Sequence, residues 1–179
     1  MLVVALWRGG TAAPSRRAAK TVSVQALGVR EPGLELAGLE YEEPAHLPAD
    51  AVDVQVHACC LAGADVAQLL GEWGPCVQPL VPGREAVGVV LGVGSAVKGV
   101  LLGQRVLVSL GSGLDSEAED DGADRSARDD LTIGAATHRL RVPARYALPL
   151  PSSLPTAAVT GLLGVGLGLV RAAFGSATP

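Results

Sequence analysis

Pro82-Gly83-Arg84-Glu85-Ala86-Val87-Gly88-Val89-Val90-Leu91-Gly92-Val93-Gly94 decides the fold. Ala86 to Val93 is apolar, valine-rich and bounded by turn residues, which reads as a buried strand. Its interspersed glycines mark bulges or places where a neighbouring backbone comes close. Downstream, Ser95 to Gly103 reads as a turn pinned by Val97, Val100 and Leu101, and Arg105 to Leu110 as a second apolar strand. Upstream, Gly71 to Pro82 is loop. Before it, Gly63 to Leu70 has Val66, Leu69 and Leu70 at helical spacing. Val52, Val54, Val56 and Ala58 alternate with Asp53, Gln55 and His57, the period of a strand with one buried face. Near the other end, Thr137, Arg139 and Arg141 alternate with Leu140 and Val142. Pro143 to Tyr146 turns the chain, and the prolines of Ala147 to Pro151 hold it extended. Short strands between Gly/Pro turns indicate a small, mainly β barrel or sandwich.

The composition fits one domain. The chain has 179 residues, enough for one core and too few for two large ones. Apolar residues make up 49% and aromatic residues 3%, so the core is built from Ala, Val and Leu. A net charge of −4 argues against a nucleic-acid partner, which calls for a basic face. Three cysteines, two of them adjacent, make no disulfide framework and point to a reducing, cytoplasmic setting.

Three segments stand apart. Residues 1–30 carry Arg8, Arg16, Arg17, Lys20 and Arg30 with no acid. They read as a variable basic extension plus a first strand, Thr21 to Leu27, with a mitochondrial transit peptide as the alternative. Residues 31–155 form the main domain. Within it, residues 115–130 hold eight acids against two bases, and such charge density reads as a solvated loop. The acids lack the spacing of a calcium loop. Residues 156–179 read as a C-terminal helix and a short end. Their uncharged run, Thr156 to Val170, falls short of the ~20 residues of a membrane span. Gly164-x-Gly166-x-Gly168 is not the dinucleotide-binding spacing, and no strand precedes it.

The block Pro82 to Glu85, the strand after it and Gly103-Gln104-Arg105-Val106-Leu107-Val108 together resemble the medium-chain dehydrogenase/reductase family. The strand from Val52, the helix near Asp65, Val142 to Tyr146 and Leu148 to Pro151 resemble its flanking elements in the same order. The likeness spans about residues 50 to 174. It implies a GroES-like, partly open β-barrel with short helices. The family's dinucleotide-binding Rossmann domain is expected to be absent from this chain. Gly83-Arg84-Glu85 with Leu114 to Glu117 is most similar to the zeta-crystallin-related, zinc-free quinone oxidoreductases.

The resemblance also sets expectations for the site. The family's zinc-ligand cysteine falls on Ala62 and its ligand histidine on Arg84, so no metal is expected. The acidic segment stands where relatives carry a four-cysteine zinc loop. Cys59 and Cys60, adjacent on a strand, read as small core residues. Asp65 and Glu85 match family acids, and with Arg84 they are the candidate catalytic residues. Asp65 reads first as a helix N-terminal carboxylate favoured by the dipole, and Glu85 equally as an ion-pair partner of Arg84 or Arg105. His57, His138 and Tyr146 read as surface, surface and packing.

The parent activity implied is NADPH-dependent reduction of a quinone or enone carbonyl. No cofactor-binding residues are complete in this chain. It is expected to hold NADPH weakly and to be inactive alone. The alternative is a non-catalytic binding or assembly module. No membrane partner is expected, and a homo-oligomer stays open.

Overall fold

The computed structural model describes residues 3–6, 20–72, 78–110 and 133–159. The acidic segment 115–130, Cys76 and the chain after Val159 lie outside them.

The architecture is mainly β, as the alternating patterns predict. β4 (Ala51–Leu61) is the centre of a six-stranded antiparallel sheet. β5 (Glu85–Val93), β6 (Arg105–Ser109) and β8 (Ala147–Pro149) follow it along one side. Two strands share its other edge. β7 (Arg139–Pro143) pairs with residues 51–55, and β1 (Val3–Leu6) pairs with residues 58–61. A second sheet is the hairpin of β2 (Thr21–Gly28) and β3 (Ala37–Pro44), which runs across residue 30. Two short α-helices, α1 (Gly63–Leu69) and α2 (Thr156–Val159), and one 3-10 turn, Ala144–Tyr146, complete the described chain.

One face of the large sheet makes the main core. Val52, Val54, Val56 and Cys59 of β4 meet Ala86 and Val90 of β5, Val106 and Val108 of β6, and Leu140 and Val142 of β7. The opposite face of β5 and β6 presents Val87 and Leu107 to Leu150 and to Val159 of α2. Arg105 fixes that turn, its guanidinium donating to the Pro151 carbonyl at 3.3 Å and the Thr156 hydroxyl at 3.2 Å. The glycine reading of β5 holds at Gly88, where an added Cβ would lie 2.2 Å from the Gln55 carbonyl oxygen. Two register shifts bend β4 here, between Asp53 and Val54 and between Val56 and Ala58.

Three expectations change. β3 was not read from the sequence, because Glu40, Glu42 and Glu43 hide its alternation. Leu101 is not a pin; it is 69% exposed, and Val100, with Val97 packed beside it, fills that turn's place in the core. Of the three apolar residues read as the inner face of the first helix, only Leu69 turns inward, while Val66 and Leu70 are exposed. Among the described residues no helix is long and apolar enough to cross a membrane.

Candidate functional site

The polar residues singled out in the sequence converge where β4 ends and β5 begins. β4 leaves the sheet at Leu61, Ala62 caps α1, and Asp65 lies in that helix's first turn. Asp65 is 1% exposed, and a carboxylate so buried needs donors. It has two. Oδ2 accepts the Ala62 N–H at 2.8 Å, and Oδ1 accepts the Gly83 N–H at 2.9 Å. Asp65 is therefore more than a dipole-favoured end residue. It ties the start of α1 to the turn that presents Arg84 and Glu85.

That turn has little freedom. Gly83 sits at φ +105°, a region that favours glycine. A Cβ there would lie 2.4 Å from the Cys59 sulfur. On its far side, Gly134, Ala135 and Ala136 donate backbone N–H groups to the carbonyls of Val81, Gly83 and Pro82 at 2.7, 2.7 and 2.9 Å. Arg84 and Glu85 are each half-buried. Glu85 stands opposite Cys60 on β4 and Ser109 on β6, so the three form one row across three strands. Beside Cys59 is a cavity of about 20 Å³ lined by Leu27, Val56, His57, Ala135, Ala136 and Thr137. It has room for about one water molecule.

Residues 48–152 match the alcohol dehydrogenase GroES-like domain, well over half of the chain. The chain belongs to that family. It is 36% identical over 88 residues to an aldehyde reductase, AdhA, of Synechocystis, a match covering 49% of this chain and 25% of the relative. It is 31% identical over 132 residues to probable cinnamyl alcohol dehydrogenase 6 of Oryza sativa, covering 66% and 37%. The chain thus spans between a quarter and two fifths of these relatives. Among solved structures, a cinnamyl alcohol dehydrogenase from Sorghum bicolor superposes with a TM-score of 0.62 at 23% identity, covering 75% of this chain and 42% of that one. A putative NADPH:quinone reductase from Bacillus thuringiensis superposes with a TM-score of 0.57 at 20% identity, covering 76% and 36%. These likenesses carry the fold.

A catalytic zinc wants thiolate, imidazole or carboxylate ligands around one point. Among the described residues, the positions on which the family resemblance places the ligands do not offer such a set. Ala62 has no ligating atom, and Arg84 is a cation. Both Asp65 oxygens are spent on backbone amides. Burial pushes the Cys59 thiol up to about 12, with Asp65, Cys60 and Glu85 adding to the rise; Cys60 is raised by the same burial and by Glu85 and Asp65. Among the described residues no three His, Cys, Asp or Glu side chains gather as a metal site.

Of the remaining sequence candidates, His57 is exposed. Tyr146 is buried in the main core, with the Arg145 guanidinium 4.7 Å from its ring centre. His138 is half-buried and engages β2. The sequence reading missed a larger polar feature. Asp53, taken as part of a polar face, is 4% exposed and is bound by two arginines of β7. Arg139 pairs with its Oδ2, and Arg141 donates from Nε to Oδ1 at 2.8 Å. Arg141 also reaches the carbonyls of Pro44 at 2.6 Å and His46 at 3.1 Å, beyond the end of β3. Burial alone would raise Asp53, but the two guanidiniums outweigh it and hold its carboxyl below the usual range. The signal available was an acid and two arginines on strands of matching period, but 86 and 88 residues separate the partners.

Proposed function

We propose that this chain is the substrate-side barrel of a nicotinamide-dependent oxidoreductase that reduces quinone-like carbonyl compounds without zinc. Membership of the alcohol dehydrogenase GroES-like family supports the reaction class. The observation that carries the metal-free part is the use of Asp65. Its two oxygens hold the Ala62 and Gly83 amides, so backbone hydrogen bonds fix the wall between α1 and β5.

Reducing a carbonyl requires a hydride and a group to stabilise charge growing on oxygen. NADPH supplies the hydride when bound. Arg84 is the group on this chain suited to the oxygen: permanently cationic, half-buried, and carried on a turn that Asp65 and the 134–136 segment hold rigid. Glu85 follows it as the first residue of β5 and adds a carboxylate to the same wall. Asp65 acts through the backbone and is a positioning residue. We place the NADPH site outside the barrel, because the glycines at 164, 166 and 168 lack the dinucleotide-binding spacing.

Amide-resolved NMR titration of the 179-residue protein tests the reading. A soluble naphthoquinone should shift the Ala62, Gly83, Arg84 and Glu85 amides, and an aromatic aldehyde should shift them less. Arg84→Gln should weaken the quinone effect while leaving the fold intact. Preference for the aldehyde would turn the substrate reading toward the alcohol dehydrogenases. Stoichiometric zinc in the purified protein, measured by elemental analysis, would overturn the metal-free part. Saturable one-to-one NADPH binding would overturn the placement of the cofactor outside the barrel.

A further inference from the structure

β4 runs for eleven residues, and two different strands share one of its edges. β7 covers residues 51–55. β1 takes the edge further along, with Leu6 opposite Ala58, Ala5 opposite Cys59, Val4 opposite Cys60 and Val3 opposite Leu61. The sequence places its first strand at Thr21 to Leu27 and leaves residues 3–6 inside a basic extension; the structure pairs them into the barrel sheet.

β1 is held on one side only. It is four residues long, and among the described residues β4 is its one strand partner. Residues 58–60 of β4 are held at the opposite edge by β5, which is itself paired with β6. A short strand with a single neighbour opens at low cost, and its departure leaves β4 inside the sheet. The stretch it covers ends at the candidate site. Leu61 is the last residue of β4, and Ala62 beside it caps α1. Without β1, residues 58–61 present a row of open amides and carbonyls, a template for another extended backbone. Ala58, Cys59 and Cys60 are buried and uncharged, which suits an uncharged strand.

We propose that the edge of β4 at residues 58–61 is a strand-docking groove beside the candidate site, and that β1 is its exchangeable occupant. Backbone pairing of this kind gives affinity without a dedicated side-chain pocket. The occupant comes from the same chain. Only 14 residues, 7–20, separate β1 from β2. A connection of that length gives an effective concentration on the order of millimolar, which a second copy at micromolar concentration does not match. β1 is thus a strap. Docked, it closes the row; released, it leaves the path into Ala62 and Asp65 supported from the β5 side alone. The groove stands on backbone pairing and holds whatever chemistry the barrel serves.

Residue-resolved amide hydrogen exchange on the full chain tests the strap. Successive N–H groups of a strand point to opposite edges, so within residues 58–61 alternate amides face β1 and the others face β5. Those facing β1 should exchange about tenfold faster than those facing β5, the net worth of one hydrogen bond. Val4→Pro combined with Ala5→Pro removes whichever of the two N–H groups bonds to β4. It should deprotect the same alternate amides by a further factor of about ten and leave Val106 in the main core unchanged. A synthetic peptide of residues 1–8, added to that variant at about 1 mM, should restore their protection. The same peptide carrying both prolines should not. Equal protection of all four amides in the unaltered protein would make β1 an integral strand and overturn the exchange. Loss at all four amides in the variant, or a peptide that restores nothing, would overturn the groove.

Discussion

At the scale of single residues, the decisive contact is between Gly83 and Cys59. The sequence reading placed Cys59 in the core and took glycines near β5 as close approaches. Both follow from period-two alternation and the absence of a side chain. It could not pair the two residues, because they meet only when β4 and β5 are in register. Asp65 shows the same limit. A carboxylate in a helix's first turn is readable from sequence, but its bond to Gly83, 18 residues on, is not. The Gly83 contact gives a quantitative expectation. Gly83→Ala combines a φ of +105° with a Cβ driven against the Cys59 sulfur. It should destabilise by about 3 kcal/mol. Cys59→Ala removes the obstructing sulfur and should cost about 1 kcal/mol alone. The double variant should then be more stable than the sum of the two by about 1 kcal/mol. Urea unfolding of all four proteins measures this, and strict additivity would mean that the clash is relieved elsewhere.

At the scale of elements, what the sequence concealed was the join between sheets. β3 alternates Leu39, Tyr41 and Glu43 inward with Gly38, Glu40 and Glu42 outward. Its glutamates disguised a strand that is half-buried in the ordinary way. Glu43 points inward because Arg139 and Arg141 are near, and burial still raises its carboxyl above the usual range. Asp53 was legible as a strand residue but not as a buried one. It lies where β4 is flanked by β5 and β7 together, and where Arg141 reaches past it to the end of β3. Removing this carboxylate leaves two largely buried guanidiniums without their partner. Asp53→Ala should therefore cost about 3–5 kcal/mol, far above a surface ion pair. Increased exchange at residues 44–46 should accompany it, since Arg141 loses the anchor that aims it there. A cost below about 1 kcal/mol in urea unfolding would show that the arginines find solvent or other acceptors at little expense.

At the scale of the whole molecule, buried ionisable groups set the pH range over which the barrel stands. The sign differs at the two ends. Asp53 is held below its ordinary range in the folded state. Its contribution is complete above the value of an unfolded Asp, about 4, and is lost as pH falls through the lower folded value. Acid unfolding should thus begin below about pH 4 and be displaced to higher pH by weakening the Arg139 and Arg141 contacts. Cys59 and Tyr41 behave oppositely. Burial pushes each up to about 12, so the folded chain keeps protons that the unfolded chain releases from about pH 8.5 for the thiol and about pH 10 for the phenol. Stability from these groups is full below those values and declines as pH rises toward 12. The decline approaches about 1.4 kcal/mol per pH unit for each group while only the unfolded form is ionised. Cys59→Ala with Tyr41→Phe should flatten the alkaline limb and leave the acid limb unmoved. Chemical denaturation across the range, followed by circular dichroism, reads both limbs in one series. An alkaline limb unchanged in the double variant would mean that neither group keeps its proton through folding.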